Sequence, residues 1–476
     1  MKALYKIWIP ALLLVASCTK KIDTLNQETK KSAIVPAGTL FNNAVKTLSD
    51  GMASANVNVN IFRHVVKHWS QATNQEEAQY DFNTRAINAA WWARMYRDIL
   101  NDLRDAKRIV TADVNLTEGV RTNQLAILDI IEVYTWGVLI NSFGNVPYMD
   151  AMDNTKLFPA YDDAKTVYAE ILKKLADDIS RLNTGSSSFA ATEDFLYSGN
   201  VSQWIKFANT LYMRLAIVIA DVDNATAKAA IESASPKAIN SAADNAIFKY
   251  LASPPNNNPL YDQIVTSGRS DFIAAKDLMD VLNSMADPRK KQFFDTSNVG
   301  LYVGSVVGEV VSFASISKPA KKIYAPDAVN IMADYVETEF IRAEAVERGY
   351  AVGGTAEDHY KNAVRASIIW WGGTSVDADT YLARNDVAYT TAVGDWKRKI
   401  GFQKWIALYN RPYEGWVELR RLDYPQMPLP SGAKSGFPNR MSYPGNEQQL
   451  NGANYAKAAS DMGGDKVETR LFWDKF

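Results

Sequence analysis

Apolar residues recur at three- and four-residue steps over most of this chain. Trp92, Met95, Tyr96, Ile99, Leu103, Ala106 and Val110 form one stripe, and Val167, Ile171, Leu175, Ile179 and Leu182 form another. Trp204, Phe207, Leu211, Leu215 and Val218 repeat the spacing. Each predicts an amphipathic helix with one buried face. Turn residues separate them: Gly144 and Pro147, Pro159, Gly185 followed by three serines, and Gly199-Asn200. The period holds from residue 41 to about residue 250. Residues 251–328 read differently, because Pro254-Pro255-Asn256-Asn257-Asn258-Pro259 cannot lie inside a helix. Val303 to Val311 is β-branched and glycine-spaced, which fits a short strand or hairpin. Helical period returns from Val329, with Met332, Val336, Phe340 and Ala343 in one stripe and Tyr360, Val364, Ile368 and Trp371 in the next. Residues 426–476 are rich in Pro, Gly, Asn and Ser and predict an ordered, loop-rich tail. The fold class is mainly α with a few short strands. Several helices come in pairs of repeat length, as tetratricopeptide units do. The strict repeat consensus is missing, and other helical arrays fit the periodicity equally well.

The N-terminus follows another pattern. Lys2 and Lys6 flank the start of a mostly apolar run, Leu4 to Leu14, that ends in Val15-Ala16-Ser17-Cys18. The run is shorter than the ~20 residues a membrane span needs, and it has the layout of a signal peptide covering residues 1–17. Its ending resembles a bacterial lipoprotein box, in which the thiol is acylated and becomes the first mature residue. Cys18 is the chain's one cysteine, so an intramolecular disulfide is excluded, and Cys18 is the expected lipidation site. Residues 18–40 then read as a lipidated N-terminus and tether, and 41–476 as a single domain. The other long apolar stretch, Leu211 to Ala220, contains Arg214 and is too short to span a bilayer.

Composition narrows the partners. The 476 residues carry 52 Lys and Arg against 53 Asp and Glu. Loss of Lys2 and Lys6 with the signal peptide moves the net charge from −1 to −3. A near-balanced chain lacks the basic face that nucleic acid requires. Aromatic residues reach 11%, with 12 Trp and 23 Tyr, which suits both a core and a surface that stacks against ligands.

The search for catalytic chemistry returns little. His64 and His68 share a helical spacing, but the glutamate a zincin requires is missing, and two surface or half-buried histidines are the reading. Phosphate loops, dinucleotide fingerprints and nucleophile elbows are not found; Gly304-Ser305-Val306-Val307-Gly308 has the wrong spacing for an elbow. Glu337, Glu339 and Glu344 cluster on a strongly periodic helix and read as its solvated face. No metal site and no cofactor is predicted.

Binding is the remaining chemistry. Trp69, Tyr80, Trp91 and Trp92 lie in or beside the polar stretch Ser70–Asn83, which is rich in Gln, Asn and Glu. Aromatic faces attract the C–H groups of a sugar ring, and amides such as Asn74 hydrogen-bond hydroxyls. The spacing of Trp92 favours the core, whereas Trp69 and Tyr80 fit a platform and a core equally. Arg269 fits a ligand contact or a loop cap. The candidate ligand-binding set is therefore Trp69, Asn74, Tyr80, Trp91 and Arg269.

Several segments then match one family in order and spacing: Phe143-Gly144-Asn145-Val146-Pro147-Tyr148; Trp204, Lys206, Phe207, Asn209, Leu211, Arg214, Leu215 and Ala216; Tyr335, Glu337, Glu339, Phe340, Ala343, Glu344 and Ala345. Lys404-Trp405-Ile406-Ala407-Leu408, Gly415-Trp416, Glu418, Arg420-Arg421, Tyr424-Pro425 and the closing Arg440, Tyr443-Pro444, Glu447, Asn451, Asn454-Tyr455 continue the match. The chain resembles the SusD/RagB-like nutrient-binding outer-membrane lipoproteins of Bacteroidetes, in the SusD-like group two branch. The resemblance implies tetratricopeptide-like helix pairs in a curved scaffold with a loop-rich remainder. It also implies a non-catalytic receptor, lipid-anchored at the outer membrane and facing the cell surface. Such a receptor captures a glycan or other nutrient and passes it to a SusC-like TonB-dependent transporter. After Cys18 the chain is basic (Lys20, Lys21), where surface-exported members often carry an acidic stretch. Two other readings stand beside this one: a surface glycan-cleaving enzyme, and a purely structural lid.

Overall fold

A computed structural model describes residues 35–153 and 155–475. The expected signal peptide, Cys18 and most of the tether lie outside the described residues. Helix α1, Ala37–Ala53, starts directly after Pro36 and buries Phe41, Ala44, Val45 and Leu48. Helix α1 thus starts within the stretch read as tether, with Pro36 at the helix entry, where its missing N–H costs nothing.

A short helix α2, Phe62–Val65, precedes α3, Ile87–Ala93. A π-helical turn over Arg94–Leu100 joins α3 to α4, Asn101–Ala112, and this rod carries the expected stripe. Met95, Ile99, Leu103, Ala106 and Val110 are buried, with Trp92 and Tyr96 half-buried beside them. Helix α5, Glu118–Phe143, is apolar on every side, and nearly all of its second half is buried. It is long and apolar enough to cross a membrane, yet 89% of that window is buried inside the protein. Helix α6, Ala164–Arg181, is capped by Asp163, whose side chain accepts from Thr166 N. Helix α7, Val201–Val218, is capped by Asn200, and α8, Asn224–Ala234, by Asp223. Each cap satisfies an amide that the helix start leaves open. Sequential packing of α4 on α5, α5 on α6 and α7 on α8 makes the tetratricopeptide-like scaffold.

The turn between α5 and α6 is built by Gly144-Asn145-Val146. Gly144 takes φ +84°, and a Cβ there would meet Met462 Sδ at 2.4 Å. Asn145 Oδ1 accepts from Ala164 N at 2.8 Å, and Tyr96 Oη donates to the Pro147 carbonyl at 2.7 Å.

The second half is looser. Short antiparallel pairs join β1, Trp69–Gln71, to β3, Phe272–Ala274, and β2, Ala246–Phe248, to β6, Asn330–Ala333. A third joins β4, Phe294–Asp295, to β5, Lys318–Pro319. Helix α9, Lys276–Ser284, lies between them. Val303–Val311 makes no hairpin: a single parallel bridge links Ser305 to Ala275, and Gly308 turns at φ +91° against the Ser431 carbonyl. Residues 330–333 are strand, so Met332 belongs to β6 and helix resumes only at α10, Tyr335–Glu347. Helix α10 packs on α11, Ala356–Trp370, followed by α12, Ser375–Leu382, α13, Trp396–Ala407, and α14, Pro412–Leu422. The tail carries two helices among its loops, α15, Gly445–Leu450, and α16, Gly452–Asp461.

Two readings of polar residues are corrected. Glu337, Glu339 and Glu344 are 3%, 2% and 0% exposed rather than solvated. Arginines delivered by other turns reach them: Arg214 and Arg411 for Glu337, Arg342 for Glu339, and Arg421 and Arg348 for Glu344. His64 and His68 are buried, not surface residues. His64 Nδ1 lies 3.3 Å from the Trp69 carbonyl, and the His68 ring sits between the carbonyls of Tyr409 and Trp405, each at 3.1 Å.

Candidate functional site

Three of the expected ligand-binding residues are core. Trp69 is 0% exposed; its Nε1 donates to Tyr409 Oη at 2.9 Å, and the Arg63 guanidinium lies 4.6 Å over its ring. Trp91 is equally buried, donates to Ser142 Oγ at 3.1 Å, and meets Phe62 edge-on. Tyr80 is buried against Phe437. Their faces are already occupied by protein, so none presents a ring to a ligand.

The other two come together around one carboxylate. Asp271 Oδ1 accepts from the backbone amides of Ala72 and Thr73, at 3.0 and 2.9 Å. Its Oδ2 accepts from Asn74 Nδ2 at 3.3 Å and Arg269 Nη2 at 2.7 Å. Burial pushes the Asp271 carboxyl up, but the hydrogen bonds from Arg269 and the Thr73 backbone outweigh it and hold the group at about 2. Arg269 also lies over Phe272 at 4.7 Å. It is a clamp that pins the polar loop to β3, with Asn74 at the exposed rim.

Pinned at Asp271, this loop runs on to a cleft. Gln79 Nε2 donates to the Gly308 carbonyl at 3.2 Å, and its own carbonyl accepts from Lys434 N at 2.8 Å. Asp81 then accepts from the amides of Asn83 and Thr84, at 3.0 and 2.9 Å. This Asx turn places exposed Asn83 on the rim of an open cleft of about 530 Å³. Most of the remaining lining comes from the tail. Gln448 Nε2 donates to Tyr455 Oη (3.0 Å), which donates to Asp465 Oδ2 (3.1 Å). Asp465 Oδ1 accepts from Tyr443 N (2.9 Å) and pairs with Arg440 (3.0 Å). Arg440 lies 4.5 Å over the Tyr443 ring, and Tyr455 meets Tyr443 edge-on at 5.8 Å. Asn88 closes the floor, donating to the carbonyls of Ser442 and Tyr443, both at 3.1 Å.

The product is a half-exposed tyrosine held by Gln448 and Asp465, with exposed Asn83 lining the same cleft. A ring of this kind stacks on a sugar face, and the amide serves hydroxyls. Asp465 already carries donors on both oxygens, so it shapes the wall. An aromatic ring and an amide do line this cleft, but the ring is Tyr455 and not one of the aromatics singled out in the sequence. Asn83 ends the polar stretch already singled out, whereas Tyr455 lies in a closing motif whose turn-like composition reads as structural. Among the described residues, no group of three or more His, Cys, Asp or Glu is placed to hold a metal ion.

Comparison with known proteins agrees with this architecture. Residues 27–444 match the SusD-like family model described as "Starch-binding associating with outer membrane". No curated protein sequence matches. Among solved structures, a SusD homologue from Bacteroides uniformis is 26% identical with TM-score 0.77, over 92% of this chain and 99% of that one. A chitin-binding SusD homologue from Flavobacterium johnsoniae is 22% identical with TM-score 0.77 over the same shares. A SusD-like protein from Bacteroides thetaiotaomicron is 24% identical, again with TM-score 0.77 and the same shares. With the family model spanning most of its length and a scaffold of paired helices beneath a loop-built cleft, the chain belongs to the SusD-like family.

Proposed function

We propose that this protein is a glycan-binding receptor of the outer membrane that holds a saccharide chain in the cleft between Asn83 and Tyr455 and passes it on uncut. The observation that carries the reading is the half-exposed Tyr455, fixed by Gln448 and Asp465, in a cleft that Asn83 also lines. The family description as starch-binding, and the chitin binding stated for the Flavobacterium homologue, support a glycan as ligand. Lipid on Cys18 would anchor the mature chain, with a SusC-like TonB-dependent transporter as its partner. A receptor that buries ligand against a transporter favours the closed assembly by its differential affinity for that state.

Affinity electrophoresis through gels containing starch, soluble chitin or other polysaccharides tests the reading. Retarded migration without new reducing ends supports it; free migration in every gel, or release of reducing ends, refutes it. A single stacked ring gives modest affinity, micromolar or weaker, on the order of −8 kcal/mol at most.

A further inference from the structure

A second cavity, sharing no lining residue with the cleft, lies at the end of α11. It has a volume of about 180 Å³ and is walled by Trp370, Trp371, Lys322 and Asn410. Both indoles are half-buried. Trp371 is fixed in place: its ring meets Phe293 edge-on at 4.9 Å and Tyr409 at 5.9 Å, and those two stack on each other at 4.0 Å. Trp370 has no aromatic neighbour of this kind among the described residues.

The polar groups are unusual in what they lack. The Asn410 Oδ1 is buried and has no hydrogen-bond partner, and a buried acceptor left open costs free energy unless something fills it. Lys322 stands in the 3₁₀ turn Lys321–Tyr324, with its Nζ 5.5 Å from the Trp371 ring. That ammonium donates to the Trp371 carbonyl at 2.8 Å and to Gln292 Oε1. An ammonium has three N–H donors, so one remains. Among the described residues no carboxylate comes within ion-pair distance of Lys322, whereas Lys276, for example, is paired with Asp280 one turn along its own helix. Exposed Lys321 adds a second positive charge beside it.

We infer that this cavity is a saccharide subsite for an acidic sugar, a hexuronic acid unit, with the pyranose ring on the indoles, its carboxylate on Lys322 and a hydroxyl donating to Asn410 Oδ1. A neutral sugar would use the indoles and the amide but leave the third ammonium donor unused. The inference rests on the glycan-binding reading for its ligand class, and it engages residues that the cleft does not.

Titration calorimetry on the full mature chain separates the two. The probes are oligogalacturonate and oligoglucuronate tetramers for the subsite, and chitotetraose and maltotetraose for the cleft. The variants are Trp370→Ala, Lys322→Gln and Tyr455→Ala, each checked for an unchanged thermal transition. Trp370→Ala and Lys322→Gln are expected to weaken binding of at least one uronate tetramer tenfold or more, and Lys322→Gln to leave the neutral tetramers unaffected. Uronate binding should also fall as salt rises from 50 to about 300 mM, as charge pairing at a surface requires. The inference is overturned if the wild-type chain binds neither uronate tetramer, or if both variants bind them as the wild type does. Uronate binding that survives while no neutral glycan binds would remove the cleft reading and leave this subsite standing.

Discussion

Arg214 and Glu337 meet fork to fork in the interior, Nε to Oε1 at 2.5 Å and Nη2 to Oε2 at 2.7 Å. The pair joins α7 to α10, two helices whose sequence motifs lie more than a hundred residues apart. Arg411, at the start of α14, adds a third contact to Glu337 Oε2 at 2.8 Å and a second to Asp334 at 3.1 Å. Burial pushes the Glu337 carboxyl up, but Arg214 and Arg411 beside it dominate and hold it far below the usual carboxylate range. Motif residues that look like surface charges are therefore the fastening between the helical scaffold and the second half of the chain.

Removing one partner leaves the others charged and dry. Glu337→Gln strands Arg214 and Arg411, and a broken buried pair costs about 3–5 kcal/mol. Chemical denaturation is expected to show a loss of that size with an intact fold at low denaturant. A change below about 1 kcal/mol would mean the pair contributes nothing net.

The buried histidines make stability depend on pH. Burial pushes His64 down to about 4 and His68 to about 3, against 6.5 when unfolded. Between pH 6.5 and 4 the unfolded chain binds a proton at His64 that the folded chain does not. The stabilising effect of neutral His64 is thus complete above pH 6.5 and falls away with acid, at about 1.4 kcal/mol per unit. Asp178 and Asp474 work in the opposite sense, because burial raises them to about 7 and about 6. The clean measurement is a difference: the stability of the wild type minus that of His64→Gln should shrink as pH falls from 6.5 to 4.5. A constant difference would mean that His64 titrates normally in the fold.

Trp69 and Trp91 are expected to act on stability alone. Either change to alanine should cost about 3–5 kcal/mol, as large-to-small substitutions of buried aromatics do. Glycan affinity per folded molecule should stay at the wild-type value. Lost affinity with an unchanged unfolding transition would return these rings to the binding surface.

Asn83 carries the converse expectation. Its exposed amide makes no side-chain hydrogen bond among the described residues, so Asn83→Ala should leave the unfolding free energy within about 0.5 kcal/mol, as surface changes usually do. Loss of one hydrogen bond to a bound hydroxyl, about 1 kcal/mol, should weaken the glycan several-fold in a calorimetric titration. Equal affinity in the two proteins would put the ligand elsewhere.

Helices with one apolar face were legible from the chain alone. Val167, Ile171 and Leu175 fall on the buried side of α6 as their spacing requires. Helix α5 was not, because it is apolar all round and shows no stripe to read. Glu344 could not be assigned from its own segment either. Its burial depends on Arg421, 77 residues further on, and a local pattern carries no word of so distant a partner. The aromatic residues mark the same boundary. Composition announces a ring-rich protein, but only the packing decides that Trp69 faces inward and Tyr455 outward.

Calorimetric titration of the glycan that most retards the protein in affinity gels, into the wild type and Tyr455→Ala, probes the receptor reading at its centre. Saturable binding to the wild type, weakened about tenfold or roughly 1.4 kcal/mol in Tyr455→Ala, is the predicted result. Identical affinities in two equally folded proteins would contradict it.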